Sequence, residues 1–348
     1  MIEISHAVYI NYIFIISTVL TIIVIFFSRK TGLFIDGLDK SHGIHSKPTP
    51  RAGGIAIFIT SSFMIFNPLG LLLYISSIPA FLSGFLEDFL KDISPKKRFI
   101  LMILSSILAI LLLNTLVYDI EYIHFPLIIA ALFTIIGICG VINAINLIDG
   151  LNGLASGIGI LTLLSFAYVS YIYNDLDLLI ISLILSAAIA GFFILNFPKG
   201  YIFLGDSGSY FIGFVLGVLS ILIVNRHAEI SPWFPLLVLI YPVWEAIFSM
   251  MRRKLIYKTS VFTPDNNHLH CMLSYKLGSN PLASVILLNI VLIFDVIAII
   301  FRENTLVLTS FVFIFIIVYT VLYAGISVLQ PIRLRYYRRL LNRFRMDI

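Results

Sequence analysis

Charge is what this 348-residue sequence has least of: Asp, Glu, Lys and Arg make up 12% of it, about half the share of an ordinary soluble domain. A chain so poor in charge cannot clothe a water-soluble surface. Cysteine is scarcer still. Cys139 in an apolar run and Cys271 in a polar loop offer neither a disulfide framework nor a structural zinc site. Low-complexity linkers, internal repeats and a separate soluble domain are not legible anywhere along the chain. Strict polar–apolar alternation is missing too, which excludes a membrane β-barrel. The chain start has no basic stretch ahead of its first apolar run and no small-residue cleavage site. Because Arg29-Lys30 follows that run instead, it reads as a span rather than a signal peptide.

Apolar residues fill the space left. The chain is 60% hydrophobic with a mean hydropathy of +1.04. Runs close to the ~20 residues that cross a bilayer recur at 8–28, 54–68, 70–86, 99–114, 125–142, 155–173, 178–195, 208–225, 233–250, 284–301 and 305–328. The expected architecture is an all-α polytopic membrane protein of about eleven transmembrane helices, with Asn67-Pro68 splitting the 54–86 pair. Placing the N-terminus outside puts every Lys and Arg except Arg226 and Arg302 on inner segments, as the positive-inside rule demands. The C-terminus is then cytoplasmic. Residues 1–330 read as one transmembrane domain, and 331–348 as a basic amphipathic tail on the anionic inner leaflet. The basic residues are spent on topology, so the net charge of +5 gives no ground for nucleic-acid binding. A Gly213–Gly217 spacing points to a homodimer contact.

With that topology the polar residues sort by side. The outer acids Asp119, Glu121, Asp175, Asp177, Glu229 and Glu303 form no cluster and read as solvated caps. Five inner segments are dense in Asp, Asn, Gly, His and Lys. DKSHGIHSKPTPRAGG (39–54) is a rigid entry whose Lys40, His45, Lys47 and Arg51 suit an anion, though each alone is also an ordinary inside-positive flank. GFLEDFLKDISPKKRF (84–99) sets Glu87 beside Asp88 and follows them with Lys96, Lys97 and Arg98. Adjacent carboxylates repel unless a cation or proton settles them. Carboxylates and cations together suit Mg²⁺ held with substrate phosphates.

The third segment raises the sharpest question. Asn143, Asn146, Asp149 and Asn152 recur at steps of three in VINAINLIDGLNGL, which on a helix traces a drifting stripe. Such groups are expensive against lipid and must face protein, water or ligand. Gly150, Gly153 and Gly157 allow close backbone approach. Interhelical glue accounts for the amides and poorly for the Asp. In NFPKGYIFLGDSGSYFIG (196–213) a helix start at Gly205 favours anions, Asp206 could hold a divalent ion against a phosphate, and Phe203 suits stacking on a planar base. The last segment, RRKLIYKTSVFTPDNNHLHCML (252–273), carries His268 and His270 near Asp265, Asn266 and Asn267. Phosphate contact fits it better than zinc, since Cys271 has no further matching pair.

Together the motifs HxxPTPRxGG, Glu87-Asp88, NxxNxxDGxNGLxxG, FxGDxGS and HxH resemble the polyprenyl-phosphate N-acetylhexosamine-1-phosphate transferase family, the MraY/WecA-type phosphoglycosyltransferases. The likeness covers nearly the whole chain in order, and eleven spans with the N-terminus outside suit the WecA-like branch. The resemblance implies a Mg²⁺-dependent enzyme, with Mn²⁺ as a substitute, at the cytoplasmic face of a bacterial inner membrane. A UDP-amino sugar, with GlcNAc the favoured sugar, would give its sugar-1-phosphate to polyprenyl (undecaprenyl) phosphate and release UMP, making the first lipid-linked intermediate of a surface glycan. By the same likeness Asp206 ligates the metal with Asn146 assisting, and Asp149 lies beside the diphosphate. Asn152, Asn196 and Phe203 match uridine-binding positions, Lys97 or a neighbour holds donor phosphate, and His268 and His270 contact phosphate. Glu87 and Asp88 join Asp149 as catalytic candidates. Whether Asp88 takes a proton from the lipid phosphate or organises the metal stays open.

Three positions depart from the family pattern: Glu87 where Asp is usual, Glu245 where Asp is usual in the ninth span, and Cys271 for a second His. Two other classes fit parts of the pattern. A secondary transporter would want midplane acids and repeated halves, whereas here only Asp295 is span-embedded away from the inner face. A phosphotransferase using a CDP-linked substrate would share the metal chemistry and differ in nucleotide.

Overall fold

The computed structural model describes residues 4–36, 48–121, 123–260, 265 and 267–344, with side chains described for all of these except 4–7, 36 and 328–344. Lys40, His45 and Lys47 of the first polar segment, Asn266 of the last, and the side chains of the arginine-rich tail lie outside the described residues.

Helices dominate, as the apolar runs require. They are α1 (Ile4–Thr31), α2 (Gly53–Ser61), α3 (Pro68–Leu90), α4 (Pro95–Leu113), α5 (Leu127–Ile148), α6 (Leu154–Ile172), α7 (Leu176–Asn196), α8 (Gly205–Arg226), α9 (Trp233–Val238), α10 (Ile240–Leu255), α11 (Leu269–Leu277), α12 (Asn280–Ile300) and α13 (Thr305–Phe344). Among the described residues eight helices are long and apolar enough to cross a membrane, namely α1, α3, α5, α6, α7, α8, α12 and α13. This is an integral, all-α polytopic membrane protein with one small extra. Strands β1 (Ile35–Asp36) and β2 (Thr49–Pro50) pair antiparallel just ahead of α2.

Three boundaries differ from expectation, each for a local reason. The run at 54–68 forms α2 and then a 3₁₀ turn, Ser62–Phe66, before Asn67 caps α3 by accepting from the Gly70 N–H at 3.1 Å, with Pro68 at the first helical position. The run at 233–250 is divided at Leu239 into α9 and α10. Pro242 lacks the N–H that would bond one turn back, so the chain restarts and leaves it in the first turn of α10. Finally α13 continues without a break from the last span through residue 331 into the basic tail.

α8 is the centre of the bundle, with α2, α3, α5 and α6 packed around it. It is apolar on all sides and buried over most of its length, as a helix ringed by others should be. Small residues set the spacing. A Cβ at Gly84 of α3 would fall 2.2 Å from the Asp206 carbonyl oxygen, and one at Gly54 of α2 would fall 2.2 Å from the Gly208 nitrogen. The Gly213–Gly217 face is spent inside the molecule: a Cβ at Gly213 would sit 2.6 Å from the Ile142 Cα of α5. That spacing therefore serves packing of α8 on α5 and not the homodimer contact it suggested.

Candidate active site at one end of the bundle

The C-terminal ends of α3 and α5 and the N-terminal ends of α4 and α8 meet at one end of the molecule. Asp206 sits in the first turn of α8. Its Oδ1 accepts from the Asn146 amide of α5 at 3.2 Å and pairs with the Arg51 guanidinium, and its Oδ2 pairs with Arg98 Nη1 of α4 at 3.2 Å. Arg98 also donates to the Tyr210 hydroxyl at 3.2 Å, and Asn146 donates to Ser209 Oγ at 2.9 Å. Arg51 is brought here by backbone pairing: Phe203 N–H donates to the Pro50 carbonyl at 2.8 Å, and Gly53 N–H to the Phe203 carbonyl at 3.0 Å. The PTPRAGG and FLGDSG motifs, far apart in sequence, are laced into one platform.

Asp88, at 5% exposure, holds the start of α8. Its Oδ1 accepts from the Asp206 N–H at 3.0 Å, and its Oδ2 from the Ser207 N–H at 2.8 Å and the Ser207 hydroxyl at 2.7 Å. Arg51 Nε lies 3.4 Å away. The helix start that the sequence offered to a phosphate is thus already filled by a carboxylate from α3, which satisfies the same exposed N–H groups. Glu87 turns elsewhere, accepting from the Ile93 N–H at 3.0 Å to close the turn after α3. The adjacent acids do separate work.

The stripe of four polar residues does not share a helix. α5 ends at Ile148, so Asn143 and Asn146 lie on it whereas Asp149 and Asn152 belong to the turn into α6. Asn143 bonds back to the Cys139 carbonyl at 2.7 Å, away from the cluster. Asp149 faces the charges of Arg51, Asp206 and Asp88; burial, aided by both acids and opposed by Arg51, pushes its carboxyl well above the usual range. Asn152 donates to the Pro198 carbonyl at 3.0 Å, and its N–H to Asn280 Oδ1 at 2.8 Å. Asn196 accepts from the Gly153 N–H at 2.5 Å and donates to the Ile202 carbonyl at 2.7 Å. Both amides tie the turn to the loop that carries Phe203, which is half-buried. Gly153 takes φ +76° there, a conformation that suits glycine.

Lys97 is exposed, and Arg98 is the member of the basic trio that reaches the cluster. His268 and His270 stack with ring centres 5.4 Å apart and planes 11° from parallel. A Cβ on Gly150 would fall 2.9 Å from His270 Nε2, so this pair closes over the turn next to Asp149. Burial pulls His270 down to about 4, which leaves a neutral ring at pH 7. Burial, with the charges of Glu245 and Asp265, pushes the Cys271 thiol up to about 12. His268 Nδ1 lies 3.0 Å from Glu245 Oε1 of α10. Arg252 and Arg253 grip Asp265 at 2.8 and 2.7 Å.

The donor set of the cluster suits Mg²⁺ in kind. Asp206, Asp149 and the Asn146 amide supply hard oxygens, and Asp149 is a carboxylate whose charge a divalent cation would relieve. Among the described residues no three His, Cys, Asp or Glu side chains stand at metal-ligand spacing.

At the opposite end the acids are less scattered than the sequence suggested. Asp175, which caps α7, is buried and gripped by Arg226 Nε at 2.6 Å and His227 Nε2 at 3.1 Å. Burial opposes its charge, but these partners hold its carboxyl below the ordinary range. A cavity of about 1150 Å³ opens nearby, with Asp119, Glu121, Glu229 and Glu303 in its lining, and shares no residue with the Asp206 cluster. Within the membrane the Ser165 hydroxyl of α6 donates to Asp295 Oδ2 of α12 at 3.5 Å, a contact between helices.

Residues 70–224 match the model of glycosyl transferase family 4. A probable undecaprenyl-phosphate N-acetylglucosaminyl 1-phosphate transferase of Bacillus subtilis (strain 168) is 27% identical over 353 residues, covering 95% of this chain and 96% of that protein. An undecaprenyl-phosphate alpha-N-acetylglucosaminyl 1-phosphate transferase of Thermotoga maritima is 32% identical over 269 residues, 76% of this chain and 80% of the relative. A phospho-N-acetylmuramoyl-pentapeptide-transferase of Streptococcus pneumoniae serotype 2 is 31% identical over 228 residues, 59% and 67% of the two chains.

Proposed function

Because the chain belongs to the MraY/WecA-type polyprenyl-phosphate N-acetylhexosamine-1-phosphate transferases, we propose that it moves N-acetylglucosamine-1-phosphate from UDP-N-acetylglucosamine to undecaprenyl phosphate. An oxygen of the lipid phosphate attacks the phosphorus that bears the sugar. The P–O–P bond of the donor breaks, UMP leaves with the bond electrons, and a lipid diphosphate sugar remains in the membrane. The nucleophile is anionic at neutral pH, so the obstacle is bringing two anions together, which positioning and electrostatic clamping solve.

The observation that carries this reading is the convergence of Arg51, Arg98, Asp88, Asn146, Asp149 and Asp206 from separate segments at one end of the bundle. Asp206 and the Asn146 amide, beside Asp149, would hold Mg²⁺, which when bound supplies positive charge between the phosphates. Arg51 and Arg98, both partly exposed, present fixed donors for phosphate oxygens. Asp88 anchors the helix start that carries Asp206. Asn152 and Asn196 shape the loop on which Phe203 offers a face to uracil, and the His268–His270 pair borders the diphosphate beside Asp149. The cluster faces the cytoplasm, the N-terminus lies outside, and the chain crosses a bacterial inner membrane eleven times. Support for that orientation is the distribution of Lys and Arg, which leaves Arg226 and Arg302 alone on the outer side.

The test is to offer purified protein a panel of UDP-sugars with polyprenyl phosphate and Mg²⁺. The expected result is labelled sugar-phosphate in the lipid extract and equimolar UMP, with UDP-N-acetylglucosamine the best donor. Absence of lipid product from every UDP-sugar would overturn the reading; product from a CDP-linked substrate, or solute flux into proteoliposomes, would put another class in its place.

A further inference from the structure

Glu245 takes no part in the reaction as proposed, yet it occupies a demanding position. It lies in α10 with none of its surface exposed, and a buried carboxylate is tolerated only when hydrogen bonds satisfy it. Three groups do so: the His268 ring through Nδ1 at 3.0 Å, the Leu269 backbone N–H at 3.3 Å, and the Tyr319 hydroxyl of α13 at 2.8 Å. Among the described residues no hydrogen bond or ion pair joins Glu245 to Asp88, Asp149 or Asp206. Of its contacts, the His268 ring is the side chain that leads toward the cluster. His268 stacks on His270, and His270 Nε2 rests against Gly150, next to Asp149.

We propose that Glu245 is a positioning residue that acts through His268. A carboxylate accepts hydrogen bonds, so it selects the ring form with its proton on Nδ1 and turns Nε2 away from α10. On that other side Asp265 Oδ1 lies 3.8 Å from Nε2. Arg252 and Arg253 occupy Asp265, and Arg252 also donates to the Tyr323 hydroxyl at 3.0 Å, so α10 and α13 frame the ring from both sides. The His268 plane being fixed, the stacked His270 is fixed against the Asp149 turn. A histidine that meets a phosphate thereby keeps one orientation without contact between Glu245 and substrate, in the way carboxylates orient functional imidazoles elsewhere.

The activity arm of the test rests on the proposed transferase reading; a spectroscopic arm does not. Full-length protein in detergent is prepared as wild type, Glu245→Gln, His268→Gln and the double variant. Glu245→Gln keeps size and replaces one accepting oxygen by an NH2 donor; the Leu269 N–H and Tyr319 hydroxyl claim the remaining oxygen, so the NH2 faces His268 Nδ1. It is expected to lower kcat about 10- to 100-fold with KM within about threefold. The double variant should be no slower than His268→Gln alone, because both changes remove one function. In ¹⁵N-histidine NMR, one ring of the wild type should show the proton on Nδ1 and lose that signature in Glu245→Gln. Losses that multiply in the double variant, or an unchanged ring signature, would overturn the proposal. Should Glu245→Gln fail to fold, Tyr319→Phe serves: its smaller loss in kcat must vanish in the His268→Gln background, and a loss that persists there counts against the proposal. Wild-type protein inactive with every donor would sink the transferase reading while the ring signature still decides the role of Glu245.

Discussion

Among single residues the clearest division falls between Lys97 and Arg98, neighbours in the first turn of α4. Lys97 is exposed, and Arg98 pairs with Asp206 and Tyr210. Arg98→Ala is expected to lower turnover about 10²- to 10³-fold, the usual loss when one preorganised donor to developing charge is removed. Lys97→Ala should stay within about threefold, since an exposed charge is screened by water and salt. Initial rates of the two variants at saturating donor and Mg²⁺ check this; equal losses would contradict the placement. The sequence marks the trio Lys96, Lys97 and Arg98 as basic, but consecutive helical residues point about 100° apart. Only packing of α4 beside α8 selects which one turns inward. Glu87 and Asp88 divide in the same way, one closing a turn and the other anchoring a helix start.

Helix pairs carry the next level of constraint. α3 and α8 touch backbone to backbone at Gly84, where a Cβ would meet the Asp206 carbonyl oxygen at 2.2 Å. Gly84→Ala is expected to force the helices apart at a cost of about 1–3 kcal/mol and to remove most activity, although no polar side chain changes. Gly137→Ala on α5, where a Cβ would have nothing within 4 Å, is the control and should leave both intact. Thermal unfolding in detergent and transfer rates measure the two effects, and a fully active Gly84→Ala would refute the contact. Helix existence was legible from apolar runs, and the Asn67-Pro68 break was legible from turn chemistry. The polar step of three misled, because spacing alone does not say where a helix stops. Asn143 and Asn146 lie on α5, while Asp149 and Asn152 lie beyond its end, in a turn where Gly153 takes a positive φ. The break at Leu239 was signalled by Pro242, but an unbroken apolar run masked it.

For the molecule as a whole, the open question is which side of the membrane the cluster faces. The ends that carry Asp88, Asn146, Asn196 and Asp206 gather at the same end as Arg51 and Arg98, and the topology proposed above puts that end in the cytoplasm. Cysteine labelling tests it directly. Cys271, with its thiol pushed up to about 12, and the buried Cys139 give little background. A membrane-impermeant maleimide applied to intact cells should label Glu121→Cys and spare Lys97→Cys until the membrane is opened. The reverse pattern would place the cluster on the other side. The charge counts that carry the proposed topology are legible in the sequence, whereas the lacing of PTPRAGG to FLGDSG is backbone pairing that no local pattern announces. That lacing, with Asp88 seated on the first amides of α8, also guards against a common decoy. Cells hold abundant inorganic phosphate, and an uncapped helix start invites it. Here Asp88 already occupies those amides, which leaves Arg51 and Arg98, rather than the start of α8, as the groups that would hold an anion next to Asp206.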